Sequence, residues 1–437
     1  MESVFYKGAF TLKDNDQVLL FNPYLMTSAQ IPLIGNDRQA SILSAEKDLI
    51  SQNVLIDDAS IADYNSLSDF FVNQSSTAVD TLSFTDALSY QCNFKCVYCM
   101  QQNTYRDILP LSAEDKVAMW QEVMQAYGAR NLSLTLFGGE PFYDVPYVQK
   151  LLSLAAEKEI PIGYIGAVTN GSIVTPEVID LINQYNIVNL QITLDGPKEI
   201  HNARRVTKSG EDGYSLILNN MDKLLSETDV RIIINTVLDK QNIIHYHRML
   251  EELVERFEPY IKGDDPRIFF NVGNECHPYK QSEYTQNNIL REKEQDMYFK
   301  SIMDVVDLGA CVFSPFPTPR CIATSVNEFV FAPNGDLYRC ISGLGNKEFL
   351  VAKYSEYIND ISKLVVRQGM LKRPERTSAC KTCQNYSLCN GGCHYNMIVE
   401  QKSTACQNLV FRETLDDYVR LTAKIEEIAP QVFRKKN

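Results

Sequence analysis

From residue 81 onward the apolar positions alternate between a period of two and a period near 3.6, the marks of strands and of amphipathic helices. Leu82–Leu88 reads as a strand, and Ser112-Ala113-Glu114-Asp115, a serine cap followed by two acids, opens a helix to about Tyr127. Leu132, Leu134 and Leu136 alternate in the strand Asn131–Phe137. Helix Val145–Glu157, strand Ile162–Val168, helix Thr175–Tyr185 with Pro176 in its first turn, and strand Val188–Leu194 follow. Helix Tyr214–Ser226, strand Val230–Val237, helix Asn242–Phe257 and strand Arg267–Val272 complete six alternations. Strands separated by helices pair in parallel through right-handed crossovers. The expected fold is therefore α/β, a partial (β/α)6 TIM-like barrel, with its functional loops at the C-terminal strand ends.

Ahead of the alternation, residues 1–80 read as a separate small α+β unit. It has strand-like runs at Val4–Leu12 and Gln17–Tyr24, a turn at Asp14-Asn15-Asp16, and a helical stretch near Arg38–Ser51. The Ser/Asp-rich stretch Asp57–Asp80 reads as a second helix and a linker. This segment holds four basic residues against eleven acidic ones, and the whole chain carries a net charge of −13. Such acidity argues against nucleic acid as a partner and leaves open plain solubility or steering of a basic peptide. At 437 residues, 45 % of them hydrophobic and 22 % charged, two or three globular domains are expected. No apolar run of about 18 residues occurs, and Met1–Lys7 lacks the basic-then-apolar pattern of a signal peptide. A cytoplasmic location and no membrane partner are expected.

Twelve cysteines in such a chain point to metal binding or catalysis rather than disulfides. Three of them, Cys92-x3-Cys96-x2-Cys99, directly follow the first strand. An iron–sulfur cluster normally takes four thiolates, so three leave one iron open to an exogenous molecule. A zinc knuckle short of a ligand and three unrelated buried thiols are the simpler alternatives. The next three strands end in Gly138-Gly139-Glu140-Pro141, Thr169-Asn170-Gly171 and Asp195-Gly196-Pro197, so four sharp loops converge on one mouth. Glycines permit close backbone approach to a ligand, and a carboxylate suits an ammonium.

The cysteine loop, with an aromatic residue before its last Cys, resembles that of the radical S-adenosylmethionine (SAM) enzymes. In that family a Gly-Gly-Glu-Pro segment binds the SAM amino group, and polar groups at later strand ends hold ribose and carboxylate. By position the resemblance assigns Gly138, Gly139, Glu140 and Pro141 to SAM, together with Asn170, Thr193 and Asp195. Phe137 stands where some relatives are polar, which leaves the ribose contact open. His201-Asn202-Ala203-Arg204-Arg205 resembles the family's His-Asp/Asn-x-x-Arg stretch and favours Arg205 over Arg204 as a SAM-carboxylate or substrate contact, with a surface ion pair as the alternative. His201, His245 and His247 read as structural, the last two being unable to share a helix face.

Cys321, thirteen residues, Gly335, four residues and Cys340, followed by Cys380-x2-Cys383-x5-Cys389-x3-Cys393 and Cys406, resemble the SPASM domain. That extension carries two auxiliary clusters in enzymes modifying peptides and proteins. A zinc ribbon fits four of these cysteines and leaves Cys321, Cys340 and Cys406 unexplained. Family ligation gives Cys321, Cys340 and Cys393 to the first auxiliary cluster, and Cys380, Cys383, Cys389 and Cys406 to the second. Cys311, the nearest spare thiol, is assigned to the first, unless that cluster keeps an open iron; Cys276 reads as a core thiol. The resemblance thus implies three [4Fe-4S] clusters, SAM, and an external electron donor of flavodoxin or ferredoxin type.

It also implies three units: 1–80, similar in outline to winged-helix-like elements that hold leader peptides, with a structural cap on the barrel as the alternative; 81–305, the barrel; and 306–437, the SPASM domain and a C-terminal helix. The implied reaction is oxidative. A 5′-deoxyadenosyl radical takes a hydrogen from a side chain of a ribosomally made precursor peptide, and an intramolecular cross-link forms. A carbon–carbon bond of the Lys-to-Trp streptide type is preferred, with a thioether as runner-up. An anaerobic sulfatase maturase is the third reading; that family places an Asp directly after the cysteine equivalent to Cys340, and here Ile341 stands there. A non-enzymatic electron-transfer protein would leave the SAM loops superfluous. No residue is singled out as the catalytic base.

Overall fold

The computed structural model describes residues 4–56 except 24 and 26, 60, 80–99, 101, 108–274 except 263 and 264, 283–288, 290, 295–312, 321–369, 380, 383, 393, 395, 398 and 408–428. The chain begins with an antiparallel meander, β1 (Val4–Tyr6), β2 (Ala9–Asp14), β3 (Gln17–Asn22) and β4 (Thr27–Pro32), in that spatial order. The run expected as one strand over Val4–Leu12 is a hairpin. Lys7 and Gly8 both have positive φ, 45° and 82°, and turn the chain so that Tyr6 pairs with Ala9. Helix α1 (Arg38–Ser51) starts at Asp37, whose carboxylate accepts from the Gln39 and Ala40 amides. Its Ile42 and Leu49, with Val54 and Leu55, cover one face of the meander over Ala9, Val18 and Leu20. A four-stranded sheet stands where two strands were expected, and α1 occupies the expected helical stretch; most of the second expected helix lies outside the described residues.

The barrel follows. Its strands and helices are β5 (Thr81–Ser89), β6 (Phe94–Cys96), α2 (Ala113–Tyr127), β7 (Asn131–Gly138), α3 (Val145–Glu157) and β8 (Ile162–Thr169). Then come α4 (Pro176–Gln184), β9 (Ile187–Thr193), α5 (Lys198–Arg204), β10 (Arg205–Thr207), α6 (Gly213–Glu227), β11 (Arg231–Leu238), α7 (Tyr246–Arg256) and β12 (Ile268–Asn274). The six long strands pair in parallel in the order β12-β11-β9-β8-β7-β5, as the alternation predicts. Ser112 caps α2 by accepting from the Asp115 amide at 3.1 Å. Between β5 and α2 sits a fully buried ion pair of Asp86 and Lys116, with Trp120 donating to the same carboxylate at 2.8 Å.

The sheet does not stop at β5. After α8 (Gln295–Asp307), β13 (Glu328–Phe331) adds in parallel to β5, and β14 (Leu337–Tyr338) and β15 (Leu350–Ala352) extend it antiparallel to nine strands. Edge-to-face contacts of Phe84 with Phe329 and Phe331 seal that seam. Gly335, with φ +81°, makes the β13–β14 turn, where a Cβ would press on Tyr354 and Leu111. The last helix, α9 (Asn408–Ile428), returns to the start of the chain. Its Leu415, Tyr418, Val419 and Ala423 pack on Phe10, Leu12, Leu19 and Phe21, the second face of the meander. Leu421 and Ile425 join the barrel's core, which includes Ile302, Val305 and Val306 of α8. No helix among the described residues is long and apolar enough to cross a membrane.

Candidate active site

The cysteine loop is held from two sides. Phe94–Cys96 forms a ribbon with β10, pairing Cys96 with Arg205, Lys95 with Val206 and Phe94 with Thr207. Backbone bonds extend it at both ends, Val97 N–H to Arg204 O and Lys208 N–H to Asn93 O, each 2.9 Å. On the other side the Gly139 amide donates to Ser89 O and the Glu140 amide to Gln91 O, both at 2.8 Å. This contact explains the paired glycines. Gly138 has φ +135°, and a Cβ there would run into the Ser89 carbonyl, one at Gly139 into that of Gln91. The close approach that sequence reading assigned to a ligand is thus also demanded within the chain.

Between ribbon and glycine turn opens a cavity of about 310 Å³, lined by Cys92, Cys96 and Cys99, by Gly138 and Gly139, and by Asn170, Thr193 and Arg205. Three other expected residues stand behind its wall. Glu140 is fully buried, accepting from Thr169 Oγ1 and the Asn170 amide at 2.7 Å and from the Phe142 amide at 3.1 Å. Burial pushes its carboxyl up, and these donors oppose the shift. Pro141 opens the short turn Pro141–Asp144. Asp195, also buried, accepts from the Val237 amide at 3.1 Å and from the Tyr98 hydroxyl. Tyr98 in turn accepts from Arg205 Nη1 at 2.7 Å, so Asp195 reaches the cavity through Tyr98. Arg204 does not line the cavity: it pairs with Asp239 and donates to the Tyr284 hydroxyl at 2.7 Å, while its Nε lies 3.7 Å from Asp195 and its guanidinium sits over the Tyr98 ring. His201 is buried, its Nδ1 accepting from the Asp195 amide at 3.3 Å; His247 lies near Glu251 and Asp304 at the surface.

The loop thiols suit a multi-iron centre. Burial pushes Cys92 up and Cys96 up to about 12; neighbouring thiols add to both shifts, and Arg205 opposes them. Thiolates crowded in this way are held by positive charge among them, which a coordinated cluster supplies. Among the described residues no three His, Cys, Asp or Glu side chains converge as on a single metal ion. A cubane instead spreads its thiolates over separate irons.

The later cysteines are placed in part. Cys321 precedes β13 and Cys340 follows β14; Cys340 and Cys393 pack together with Ala332, Tyr338, Phe349 and Tyr395. Burial raises the Cys321 thiol, and Cys393 is among the groups that add to the shift, so these two are neighbours. The Cys383 amide donates to Cys380 O at 3.0 Å. Cys389, Cys406 and Cys276 lie outside the described residues. Cys311 sits beside β12, its carbonyl accepting from the Phe270 amide at 2.9 Å, and its thiol is raised by burial alone.

Sequence reading missed several lining residues: Tyr90, Gln191, Asn235 and Tyr98. Gln191 shares the inward parity of Thr193 on β9, a signal open to anyone counting by twos from a site residue. Ile341, noted for replacing an acid, lines the same cavity.

The radical SAM superfamily matches the chain over residues 87–253. The cysteine-type anaerobic sulfatase-maturating enzyme of Clostridium novyi (strain NT) is 24 % identical over 338 residues, 70 % of this chain and 86 % of its own. The radical SAM cyclopropyl synthase TigE of Paramaledivibacter caminithermalis is 23 % identical over 396 residues, 83 % of this chain and 78 % of its own. The crystal structure of Streptococcus suis SuiB bound to precursor peptide SuiA shares the fold, with a TM-score of 0.53 at 15 % identity over 93 % of this chain and 99 % of that one. The family implies a [4Fe-4S] cluster and SAM. Every residue lining the cavity except Ile341 falls within the matched span. The cavity is thus built almost wholly from the residues that match the radical SAM superfamily, and the chain is an enzyme whose radical SAM domain supplies that cavity.

Proposed function

We propose that this enzyme modifies a ribosomally made precursor peptide, closing an intramolecular bond between two of its side chains. One observation carries the reading: the cavity that joins the three loop thiols to Gly138, Gly139 and Arg205 is lined from beyond the barrel by Ile341 as well. Bound together, cluster and SAM supply a 5′-deoxyadenosyl radical. Cys92, Cys96 and Cys99 would hold the cluster. Gly138 and Gly139 would present backbone to SAM, with Glu140 and Pro141 fixing their turn, while Arg205, Asn170 and Thr193 would face its carboxylate and ribose and Asp195 would orient Tyr98. Tyr90, Phe137 and Ile341 add apolar wall that excludes water and competing hydrogen donors.

Two auxiliary clusters, on Cys321, Cys340, Cys393 and Cys311 and on Cys380, Cys383, Cys389 and Cys406, would accept the second electron. Residues 1–80 would bind the leader of the precursor. SuiB, bound to its precursor peptide, covers nearly all of this chain and supports that arrangement. The preferred bond is carbon–carbon, between Lys and Trp side chains, with a thioether as runner-up. The Clostridium novyi relative favours sulfatase maturation instead, but an apolar Ile341 gives the cavity no carboxylate at that position.

The test incubates enzyme, SAM and reductant with precursor peptides encoded beside the gene, deuterated at candidate side-chain carbons. Deuterium in 5′-deoxyadenosine and a peptide lighter by about two daltons, the mass of two hydrogens, are expected from this radical chemistry. Unchanged thiol reactivity of the product supports the carbon–carbon bond; loss of one thiol turns the assignment to the thioether. Formylglycine on a sulfatase peptide, with no cross-link in any precursor, refutes the proposal.

A further inference from the structure

Four charged side chains are buried together at the cavity wall: Asp195 and Asp239 are fully enclosed, Arg204 is 3 % exposed and Arg205 9 %. Arg205 reaches the cavity and Arg204 does not. Arg204 instead joins the two carboxylates. Its Nη1 pairs with Asp239, its Nε stands 3.7 Å from Asp195, and its Nη2 donates to the Val237 carbonyl at 3.0 Å. Its guanidinium carbon also lies over two aromatic rings, 4.9 Å from the centroid of Tyr98 and 5.8 Å from that of Tyr284. A planar cation suits such contacts, and they strengthen where water is excluded.

Of these partners Tyr284 alone lies beyond β12, on the short helix Glu283–Asn288. The loop after β11 fastens that helix. The Lys240 amide donates to the Asn288 carbonyl at 2.9 Å, and Gln241 Nε2 donates to Asn288 Oδ1 at 2.8 Å. The Tyr284 hydroxyl accepts from Arg204 Nη1 at 2.7 Å and donates to Asp239 at 3.0 Å, closing a triangle with the buried pair. A residue that only filled space there would need neither bond.

We infer that Tyr284 is a positioning residue for SAM: it holds Arg204 against Tyr98, so that the Tyr98 hydroxyl keeps Arg205 aimed into the cavity. The path runs from Tyr284 through Arg204 and Tyr98 to Arg205, each link a contact in the structure. Without Tyr284, Arg204 settles on Asp239, the charge beside Asp195 is left to Arg205, and Arg205 is drawn away from the cavity toward that carboxylate. The inference rests on the SAM-facing role of Arg205 and on nothing about the peptide.

The test uses full-length enzyme with its clusters reconstituted and measures SAM affinity by equilibrium dialysis, with no peptide and no reductant present. Tyr284→Leu is expected to raise the Kd for SAM about tenfold, the scale on which a network residue alters a remote site. Tyr284→Phe loses the two hydroxyl bonds but keeps the ring, and falls between Tyr284→Leu and wild type. Arg204→Lys keeps the charge but not the plane, and is expected to match Tyr284→Leu. In a Tyr98→Phe background, where the hydroxyl that aims Arg205 is already gone, Tyr284→Leu should cost no more than about twofold further. An equally large loss in that background overturns the inference, because the effect then bypasses Tyr98. So does wild-type affinity in either Tyr284→Leu or Arg204→Lys, and so does a loss that follows iron content, which locates the damage in the cysteine loop. Arg205→Gln separates the premise from the relay: unchanged affinity there removes both, whereas weaker binding there with Tyr284→Leu like wild type overturns the relay alone.

Discussion

The parallel strands of the barrel and the amino-terminal meander are both sheets with two apolar faces, but they acquire their cover differently. In the barrel each strand is followed by the helix that packs on it. In the meander α1 is equally local, yet the opposite face waits for α9, and the hydrogen bond from Gln30 to the Ala423 carbonyl spans 393 residues. Loop closure over such a length costs little more than over a short one. The consequence is one of autonomy: the barrel's core comes mainly from its own helices, with Leu421 and Ile425 added by α9, whereas the meander borrows the cover of one whole face from the far end of the chain.

Truncation after residue 407 is the harshest way to break that contrast. It uncovers Phe10, Leu12, Leu19 and Phe21 together, and β2 and β3 are expected to lose hydrogen-exchange protection while β7 and β8 keep theirs. Protection retained in β2 would show the meander to be self-sufficient. Inside the barrel, Lys116→Ala leaves the Asp86 carboxylate buried without its cation, at an expected cost of about 3–5 kcal/mol. Trp120, the chain's single tryptophan, bonds to Asp86 and reports the denaturation midpoint by fluorescence. A midpoint equal to wild type would mean that the carboxyl is content alone.

Gly139→Ala is milder in stability, about 1–3 kcal/mol for a forced backbone shift. The shift falls on Gln91, next to Cys92, so SAM cleavage should drop further than in Lys116→Ala; equal cleavage in both would separate the glycine turn from the cysteine loop. Smallest of all, Arg420→Ala removes a part-exposed pair with Asp14 between α9 and the meander, worth under about 1 kcal/mol. A larger loss in the melting curve would make that seam electrostatic rather than apolar.

Legibility in the sequence followed the same division. The six barrel strands lie within a residue or two of their expected limits because each alternates against a helix close by in the chain. The seventh, β13, is four residues long, and its partner β5 is set by Phe84, Phe329 and Phe331 meeting across the fold. The split of β1 from β2 turns on positive φ at Lys7 and Gly8; the glycine inside the apolar run was the one signal of it, and Lys7 gives none. At the site, cysteine and glycine spacing placed the loop and the turn. The path from Asp195 through Tyr98 to Arg205 was invisible, because a tyrosine reads as core until its hydroxyl has a partner.

The strand that braces Phe94–Cys96 ends at Thr207, and this has a consequence for how the protein is made. A nascent chain halted anywhere between the two carries all three loop thiols without the strand that sets their spacing. Synthesis of that interval takes on the order of ten seconds at ~5–20 residues per second. During it the thiols lack that brace, so a cluster held by them would meet its finished loop only once the ribosome has passed Thr207.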